Sequence, residues 1–376
     1  MHIQVSEGIS AIETLAPEWE SLIPSAPGAA FSHPYWYLAW NDAFRPQQVS
    51  AITARDGGRL KGVLPLARVR SDSRGLYFSR VAPFALGDYQ PFVVDPATAE
   101  TTLPEMLDAA IERYGRRGTY WWPHVPESDP SLGILRSYLK RKGMPWVEER
   151  EGAPRLTIDG QTLEAVEQKL SSKLRGDVRR SRKKLAEEHG SLSLWTPASA
   201  DEGVAALDEF FDVHDSKWLS EGLPGQFRNE VIRTHFKAVM RRLWGRGIHF
   251  STVRAGDVNI SYHFGFLSAG WLLWFRPTYR LDFHRHSPSK IHVAMLIEEA
   301  CRSGWNGIDF LLGEEPYKYR WANGESHIVN IHAGFHEWGP SYFWFSRGKP
   351  MARQRFQHLY ARIQAMRQKR PEAENS

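Results

Sequence analysis

The segment from Ile308 to Trp321 carries several chemically reactive side chains close together. It reads IDFLLGEEPYKYRW, so carboxylate, phenol and ammonium groups that can exchange protons follow a short apolar run. The apolar run ends at Gly313 and predicts a buried strand. The polar groups therefore lie at the carboxyl end of that strand, where open α/β sheets bind their ligands. This segment is the first candidate for a catalytic site.

An antiparallel meander and a crossover helix precede this segment and must position it. Alternating runs separated by Gly-containing turns predict strands at 248–254, 258–267 and 271–279. Ser287 as N-cap and Pro288 at the first turn predict the start of the helix, and Gly304 predicts its end. A parallel strand that follows such a crossover splays away from the meander, so strand 271–279 should offer free backbone groups to an extended ligand.

The two halves of the chain echo each other. Thr53, Arg55 and Gly57 recur with the same spacing as Thr252, Arg254 and Gly256, and both sets lie at predicted hairpin turns. A second set of matches surrounds Met106 and Met295, each on a predicted helix that leads into a strand. We therefore predict an α/β fold with two copies of one unit, each a mixed, mostly antiparallel sheet flanked by helices. The predicted boundaries are 1–158, 159–346, and a basic C-terminal helix and tail at 347–376.

The predicted helix start at Pro288 is a candidate anion site. A helix N-terminus carries unpaired N–H groups and a partial positive charge. The side chains around it are Arg285, Ser287, Ser289 and Lys290. A pyrophosphate suits this chemistry, and an ordinary capped helix is the alternative.

Four motifs together resemble the CelD/BcsL family, a BioF2-like acetyltransferase group of the GNAT superfamily. They are SKLRGDVRRSRKKL at 172–185, WLLWFRPTY at 271–279, HSPSK at 286–290 and GIDFLLGEEPYKYRW at 307–321. The resemblance covers residues 155–340 well and the first half more loosely. The family usually has Ser-Pro-Gly and apolar residues in the loop where this chain has Ser289 and Lys290, and Lys290 can compensate by its charge.

The resemblance implies tandem GNAT-like units similar to the Fem peptidyltransferases. It also implies acyl transfer from acetyl-CoA to an amine, in the biogenesis of a bacterial exopolysaccharide, capsule or holdfast. An amine loses a proton as it attacks a thioester, so a carboxylate can serve as base. Glu314 is the preferred base and Asp309 the alternative, while Tyr317 can protonate the thiolate and Lys318 can hold an oxyanion.

The spacing of the polar residues predicts that one helix face carries Glu314, Tyr317, Lys318 and Trp321. A structural ion-pair turn is the alternative. The acceptor, a small-molecule or glycan amine, is expected between the two units. The candidates for its contacts are Asp88, Tyr89, His263 and Trp321. Trp274 can face the coenzyme or a sugar, or can pack in the core.

Charge is concentrated in two basic segments. The net charge is +5, but residues 173–184 carry +6 and residues 347–370 carry +8. Such patches attract phosphates, although a solvated helix face is an equal alternative. The predicted anion-binding residues are Lys173, Arg175, Arg179, Arg353 and Arg355. These patches keep two further hypotheses open: an aminoacyl-tRNA-dependent transferase, and a non-catalytic protein whose C-terminal helix binds a cyclic dinucleotide or a membrane surface.

The cysteine count, the N-terminus and the histidine spacing narrow the classes of protein that remain. Cys301 is the single cysteine, which excludes an intrachain disulfide, and its mid-helix position favours a buried, inert thiol. The N-terminus lacks the pattern of a signal peptide, and no apolar run is long enough to span a bilayer, so a cytoplasmic location is expected. The histidines at 284, 286, 327, 332 and 336 lack accompanying ligands at metal-site spacing, so no metal is predicted.

Overall fold

One mixed sheet runs through the computed structural model, which describes residues 1–46, 48–73, 76–85, 87–116, 119–313 and 315–335. Helices flank the sheet, which confirms the predicted α/β class. The end of the predicted second unit and the predicted C-terminal helix lie outside the described residues. In the described part of the chain, no helix has both the length and the apolar character needed to cross a bilayer.

The elements of the first half follow one another in a helix, meander, helix order. They are β1 (His2–Glu7), α1 (Ile9–Glu20), α2 (Pro34–Phe44), β2 (Val49–Asp56), β3 (Arg59–Ser73), β4 (Leu76–Pro83), β5 (Val93–Val94), α3 (Ala99–Tyr114), β6 (Thr119–Pro126), α4 (Ser131–Arg141) and β7 (Trp146–Thr157). The sequence predicted the β2–β3 hairpin but not β4.

The second half repeats that order after two additional helices. Its elements are α5 (Leu163–Lys169), α6 (Ser172–His189), β8 (Leu192–Trp195), α7 (Ala200–Ser220), α8 (Glu230–Arg242), β9 (Ile248–Ala255), β10 (Val258–Ser268), β11 (Trp271–Tyr279), α9 (Pro288–Ser303), β12 (Gly307–Asp309) and β13 (Gly324–Gly334). Residues 162–189 form two helices, because the Ser171 side chain caps the second one by accepting a hydrogen bond from the Leu174 N–H.

The element boundaries support the predicted duplication. β9 begins and ends at the positions that correspond to the ends of β2 when Thr252 is aligned with Thr53. α9 likewise begins and ends where α3 does when Met295 is aligned with Met106. In each half the third meander strand pairs in parallel with the strand that follows the crossover helix, β4 with β6 and β11 with β12. The two halves are therefore copies of one topology.

The last strand of each unit pairs with the other unit. β13 of the second half lies between β6 and β7, and β7 of the first half pairs with β12. The exchanged strands join the two sheets into one continuous sheet, which the sequence did not predict. β7 and β13 pair without interruption from Arg155–Gly324 to Trp146–Ala333.

The two halves also share a hydrophobic core. The ring of Phe31 from the first half packs against Phe266 and Phe275 of the second. α2 packs against α8, and Asp42 near the end of α2 forms an ion pair with Arg242. Many of the aromatic side chains of the protein are thus used in packing between the two halves.

Candidate functional site

The open edge of β11 is the feature that the fold presents to a ligand. β12 pairs with β11 only from Trp271–Gly307 to Leu273–Asp309, whereas β11 continues to Tyr279. β10 covers the opposite edge of β11 as far as Tyr279. β12 ends early, where the sequence predicted a strand to Leu312, because Leu311 turns the chain with a left-handed φ of 58°. The predicted splay is thus present, and beyond Leu273 no described strand pairs with the edge of β11 that is opposite β10.

Asp309 closes β12 and is fully buried. Its carboxylate accepts hydrogen bonds from the Tyr89 hydroxyl at 2.9 Å, from the Arg155 Nε at 2.6 Å and from the Leu311 N–H at 2.8 Å. The Tyr89 hydroxyl also lies 3.3 Å from the Ser326 Oγ. These contacts fasten a loop of the first half to β7, β12 and β13.

Burial raises the pKa of Asp309, and the Arg155 guanidinium opposes that rise. Three donors around one carboxylate favour its charged form. Since no solvent reaches this group and its oxygens already accept hydrogen bonds, it is poorly placed to take a proton from a substrate. We therefore assign Asp309 and Tyr89 a positioning role, in place of the predicted catalysis and substrate contact.

The segment after β12 folds as a turn and not as the predicted helix face. A single 3-10 turn spans Lys318–Arg320. Lys318 is buried, and its Nζ donates to the Leu312 carbonyl at 2.5 Å and pairs with Glu315 at 2.9 Å. Its ammonium group therefore holds the turn closed, which matches the alternative of an ion-pair turn. Glu314 lies outside the described residues, so its role as base stays a prediction.

Tyr317 is a polar side chain of this turn that remains open to solvent, with 38% of its surface exposed. Partial burial of its hydroxyl raises the pKa of Tyr317 to about 12, with the Glu315 carboxylate adding to the rise and the Trp274 indole opposing it. Trp274 is the first residue of β11 beyond the end of its pairing with β12. The phenol of Tyr317 thus lies beside the open edge and stays protonated at neutral pH.

Three of the predicted ligand-contacting side chains are core residues. His263 is buried and stacks on the Trp274 ring at 4.5 Å, and burial holds the pKa of His263 well below its usual range. Trp274 and Trp321 pack in the same cluster beneath α9. The expectation that these rings face a ligand is corrected, because all three side chains are buried.

The start of α9 agrees with the sequence, but its charges are already paired. Ser287 is the N-cap, with a φ of 50° and no side-chain cap, and Pro288 is the first helical residue. Arg285 pairs with Glu188 of α6 at 2.6 Å, and Lys290 lies 3.7 Å from Asp177 of the same helix. Ser289 is half-buried beside them. An incoming pyrophosphate would have to compete with two carboxylates of α6.

Asp88 lies close to a strand of the second half. Its carboxylate lies 4.0 Å from the guanidinium of Arg276 on β11. Burial lowers the pKa of Arg276, and Asp88 opposes this. Arg276 and Arg155 were not predicted as site residues, although a charged residue within a strand pattern was the available signal.

The basic patch at 173–184 lies on α6, and its members differ in environment. Lys173 and Arg179 are exposed, whereas Arg175 is half-buried. Arg353 and Arg355 lie outside the described residues and remain predictions. The patch is thus not a uniformly solvated face.

A cluster of metal-ligating types also forms at the end of α6, where the sequence predicted no metal. Ligand atoms of Glu188, His189 and His286 lie within 4.8 Å of one another. The Glu188 carboxylate accepts a hydrogen bond from Arg285 at 2.6 Å, and Arg285 also donates a hydrogen bond to the His286 ring. The arginine therefore already supplies the positive charge that a metal ion would bring.

One family of known proteins matches part of the second half. Residues 172–319 match the model of the acetyltransferase (GNAT) domain family. This stretch runs from the start of α6 to the turn that carries Lys318, and it includes the open edge of β11. Over this stretch the second half is thus similar to GNAT acetyltransferase domains. A search of curated proteins gave no match to the sequence.

Solved structures share the fold over nearly the whole chain. FemX superposes with a TM-score of 0.60 at 12% identity, covering 88% of this chain and 97% of that chain. A conserved protein of unknown function from Bacteroides thetaiotaomicron gives 0.55 at 9% identity, covering 89% and 100%. L-PGS from Bacillus licheniformis gives 0.54 at 11% identity, covering 92% and 96%. At these identities the likeness concerns the fold alone.

Proposed function

We propose that the protein is a cytoplasmic N-acyltransferase that moves an acyl group from acyl-CoA, and acetyl-CoA in particular, to an amine. The observation that carries the proposal is the open edge of β11 inside a stretch that matches the GNAT domain family. The resemblance to the CelD/BcsL family points to an amino-sugar, or a related precursor of a surface polysaccharide, as the acceptor.

The chemistry follows from the groups around that edge. The amine nitrogen attacks the thioester carbon, the C–S bond breaks, and the amine proton passes to a base, for which we propose Glu314. The thiolate needs a proton in return. Tyr317, whose pKa is raised to about 12, keeps its proton for this step and lies beside Trp274 at the start of the open edge. The acceptor would approach between the two halves, near Asp88 and Arg276.

An aminoacyl-tRNA is the second candidate donor. The resemblance to the Fem peptidyltransferases suggests it, and one set of contacts favours it. Arg285 and Lys290, which would meet a coenzyme pyrophosphate, are already neutralised by Glu188 and Asp177. A donor held by its nucleic acid would not depend on these two cations.

Calorimetric titration with acetyl-CoA and with aminoacyl-tRNA tests the proposal. We expect saturable binding of acetyl-CoA that weakens in Arg285→Ala/Lys290→Ala and at high salt. Binding of the tRNA without acetyl-CoA would replace the donor by the second candidate. Binding of neither would refute acyl transfer as the function.

The proposed base gives a sharper prediction. Glu314→Gln removes the proton acceptor without changing side-chain size, so turnover should fall by roughly 10²- to 10⁴-fold. The free energy of unfolding should stay close to that of wild type, because glutamine occupies nearly the same volume as glutamate. Near-full turnover of the variant would assign the proton to another group.

A further inference from the structure

A groove between α5, α6 and α9 is a second binding site that the acyl-transfer proposal does not use. Its volume is about 390 Å³, within the range of ~300–1,000 Å³ typical of small-molecule pockets. The floor is aliphatic and consists of Leu163, Leu170, Leu174, Val178, Ala294 and Ile297. An aliphatic floor of this kind favours a hydrocarbon chain.

The rim of the groove is cationic. Arg175, Arg179 and Arg182 follow one another along a single face of α6 and line the groove, together with one acid, Glu167. Arg182 forms an ion pair with Glu298 of α9. The buried Nε of Arg175 has no hydrogen-bond partner, and neither Arg175 nor Arg179 has an ion-pair partner within the described ranges. Two guanidinium groups are thus available to an anion.

The lining distinguishes between classes of anion. Stacking on an exposed aromatic face is one common way to hold a nucleotide base. Trp321 lines the groove, but only 3% of its surface is exposed, so it offers little stacking area. The chain's own segment at 347–370 carries eight basic residues and no acidic ones, so its charge opposes the rim. An amphipathic anion matches both the floor and the rim.

We propose that this groove binds a single-chain anionic amphiphile, an alkyl chain with a phosphate or carboxylate head. The chain lies on Leu170, Leu174 and Ile297, and the head group accepts hydrogen bonds from Arg175 and Arg179. The occupant is a monomeric molecule, because a groove of this size encloses one chain. None of the residues that line the groove lies on β11, so the proposal stands whether or not the protein transfers acyl groups.

Titration of the full-length protein with alkyl phosphates below their micellar concentration tests the floor. A buried methylene should strengthen binding about fourfold, so decyl phosphate should bind roughly fifteenfold more tightly than octyl phosphate. Inorganic phosphate, which has no chain, should bind much more weakly than either. Equal affinities for the octyl and decyl compounds would overturn the proposal, as would binding to anionic phospholipid vesicles without binding to monomeric decyl phosphate.

Variants of α6 test the rim. Arg175→Gln/Arg179→Gln should weaken decyl phosphate binding about tenfold or more, because charged hydrogen bonds to the head are lost. Lys183→Gln is the matched control, since Lys183 lies on the same helix with 78% of its side chain exposed and does not line the groove. Unchanged binding by the double variant, or an equal loss in the control, would overturn the proposal. Circular dichroism checks that α6 remains folded.

Discussion

At the scale of single residues, the position of a side chain decides its role more than its chemical type does. Asp309 and Glu314 are both carboxylates near the end of one strand in the sequence. The structure surrounds Asp309 with the Tyr89 hydroxyl, the Arg155 guanidinium and a backbone N–H. Asp309 is therefore a fastening point between the two halves, and the expected effect of changing it is on stability.

Asp309→Asn should lower the free energy of unfolding by about 2–4 kcal/mol, because it leaves the half-buried Arg155 without its carboxylate. Urea denaturation measures this change. Asp282→Asn is the control, since Asp282 pairs with Arg280 at 2.7 Å on the surface. That control should lose no more than about 1 kcal/mol. An Asp309→Asn protein with wild-type stability and no turnover would contradict the positioning role.

Local signals in the sequence were sufficient for part of the site and not for the rest. Pro288 and Gly304 predicted the bounds of α9 correctly, because both signals act over a few residues. Ser287 occupies the N-cap position but its side chain makes no capping hydrogen bond. The partners of Asp309 could not be predicted, since Arg155 and Tyr89 lie far away from it in the chain. The left-handed Leu311 also gave no signal, because a leucine rarely adopts that conformation.

At the scale of elements, β12 depends on close contact with β7. A Cβ atom on Gly307 would lie 2.0 Å from the Leu156 carbonyl oxygen. Gly307→Ala should therefore push β7 from β12 and lower the free energy of unfolding by at least ~1–3 kcal/mol. Gly324→Ala is the matched control, since a Cβ there meets no atom within 4 Å of the described chain. Equal stabilities of the two variants would contradict this close pairing.

The stability of the protein should depend on pH through three histidines, two on the strands beneath α9 and one on α9 itself. Burial lowers the pKa of His249 to about 4 and that of His292 to about 3, and the pKa of His263 is also far below its usual range. The unfolded chain thus binds more protons than the native state once the pH falls below about 6.5. Stability is complete above that pH and should fall towards pH 4, by up to about 1.4 kcal/mol per pH unit for each histidine.

Denaturation series between pH 7 and pH 4 measure this slope. His249→Phe removes one titrating group and should reduce the slope by about 1.4 kcal/mol per pH unit at most. A wild-type stability that does not change over this range would show that these rings are not buried in the neutral form.

At the scale of the whole molecule, the exchange of β7 and β13 makes the two halves interdependent. Periodicity and internal offsets predicted the duplicated unit, since each copy keeps its own order of elements. They could not predict the exchange, because either pairing buries the same apolar faces of the strands. The shared core around Phe31, Phe266 and Phe275 adds a second link between the halves.

Separate expression of residues 1–158 and 159–376 tests this interdependence. The second fragment lacks β7, the partner of both β12 and β13, so neither fragment should show a cooperative unfolding transition alone. Co-expression should restore one transition at the midpoint of the intact chain, observed by tryptophan fluorescence. A second fragment that unfolds cooperatively by itself would contradict the role assigned to β7.

Hydrogen exchange along β11 with and without acetyl-CoA tests the central claim most directly. If the donor lies on the open edge, hydrogen exchange in the peptide covering residues 274–279 should slow when acetyl-CoA binds. Hydrogen exchange in β2, a strand of the first half, should remain unchanged. Binding of acetyl-CoA that leaves residues 274–279 unprotected would show that the donor lies elsewhere, and the assignment of this edge as the transfer site would then be wrong.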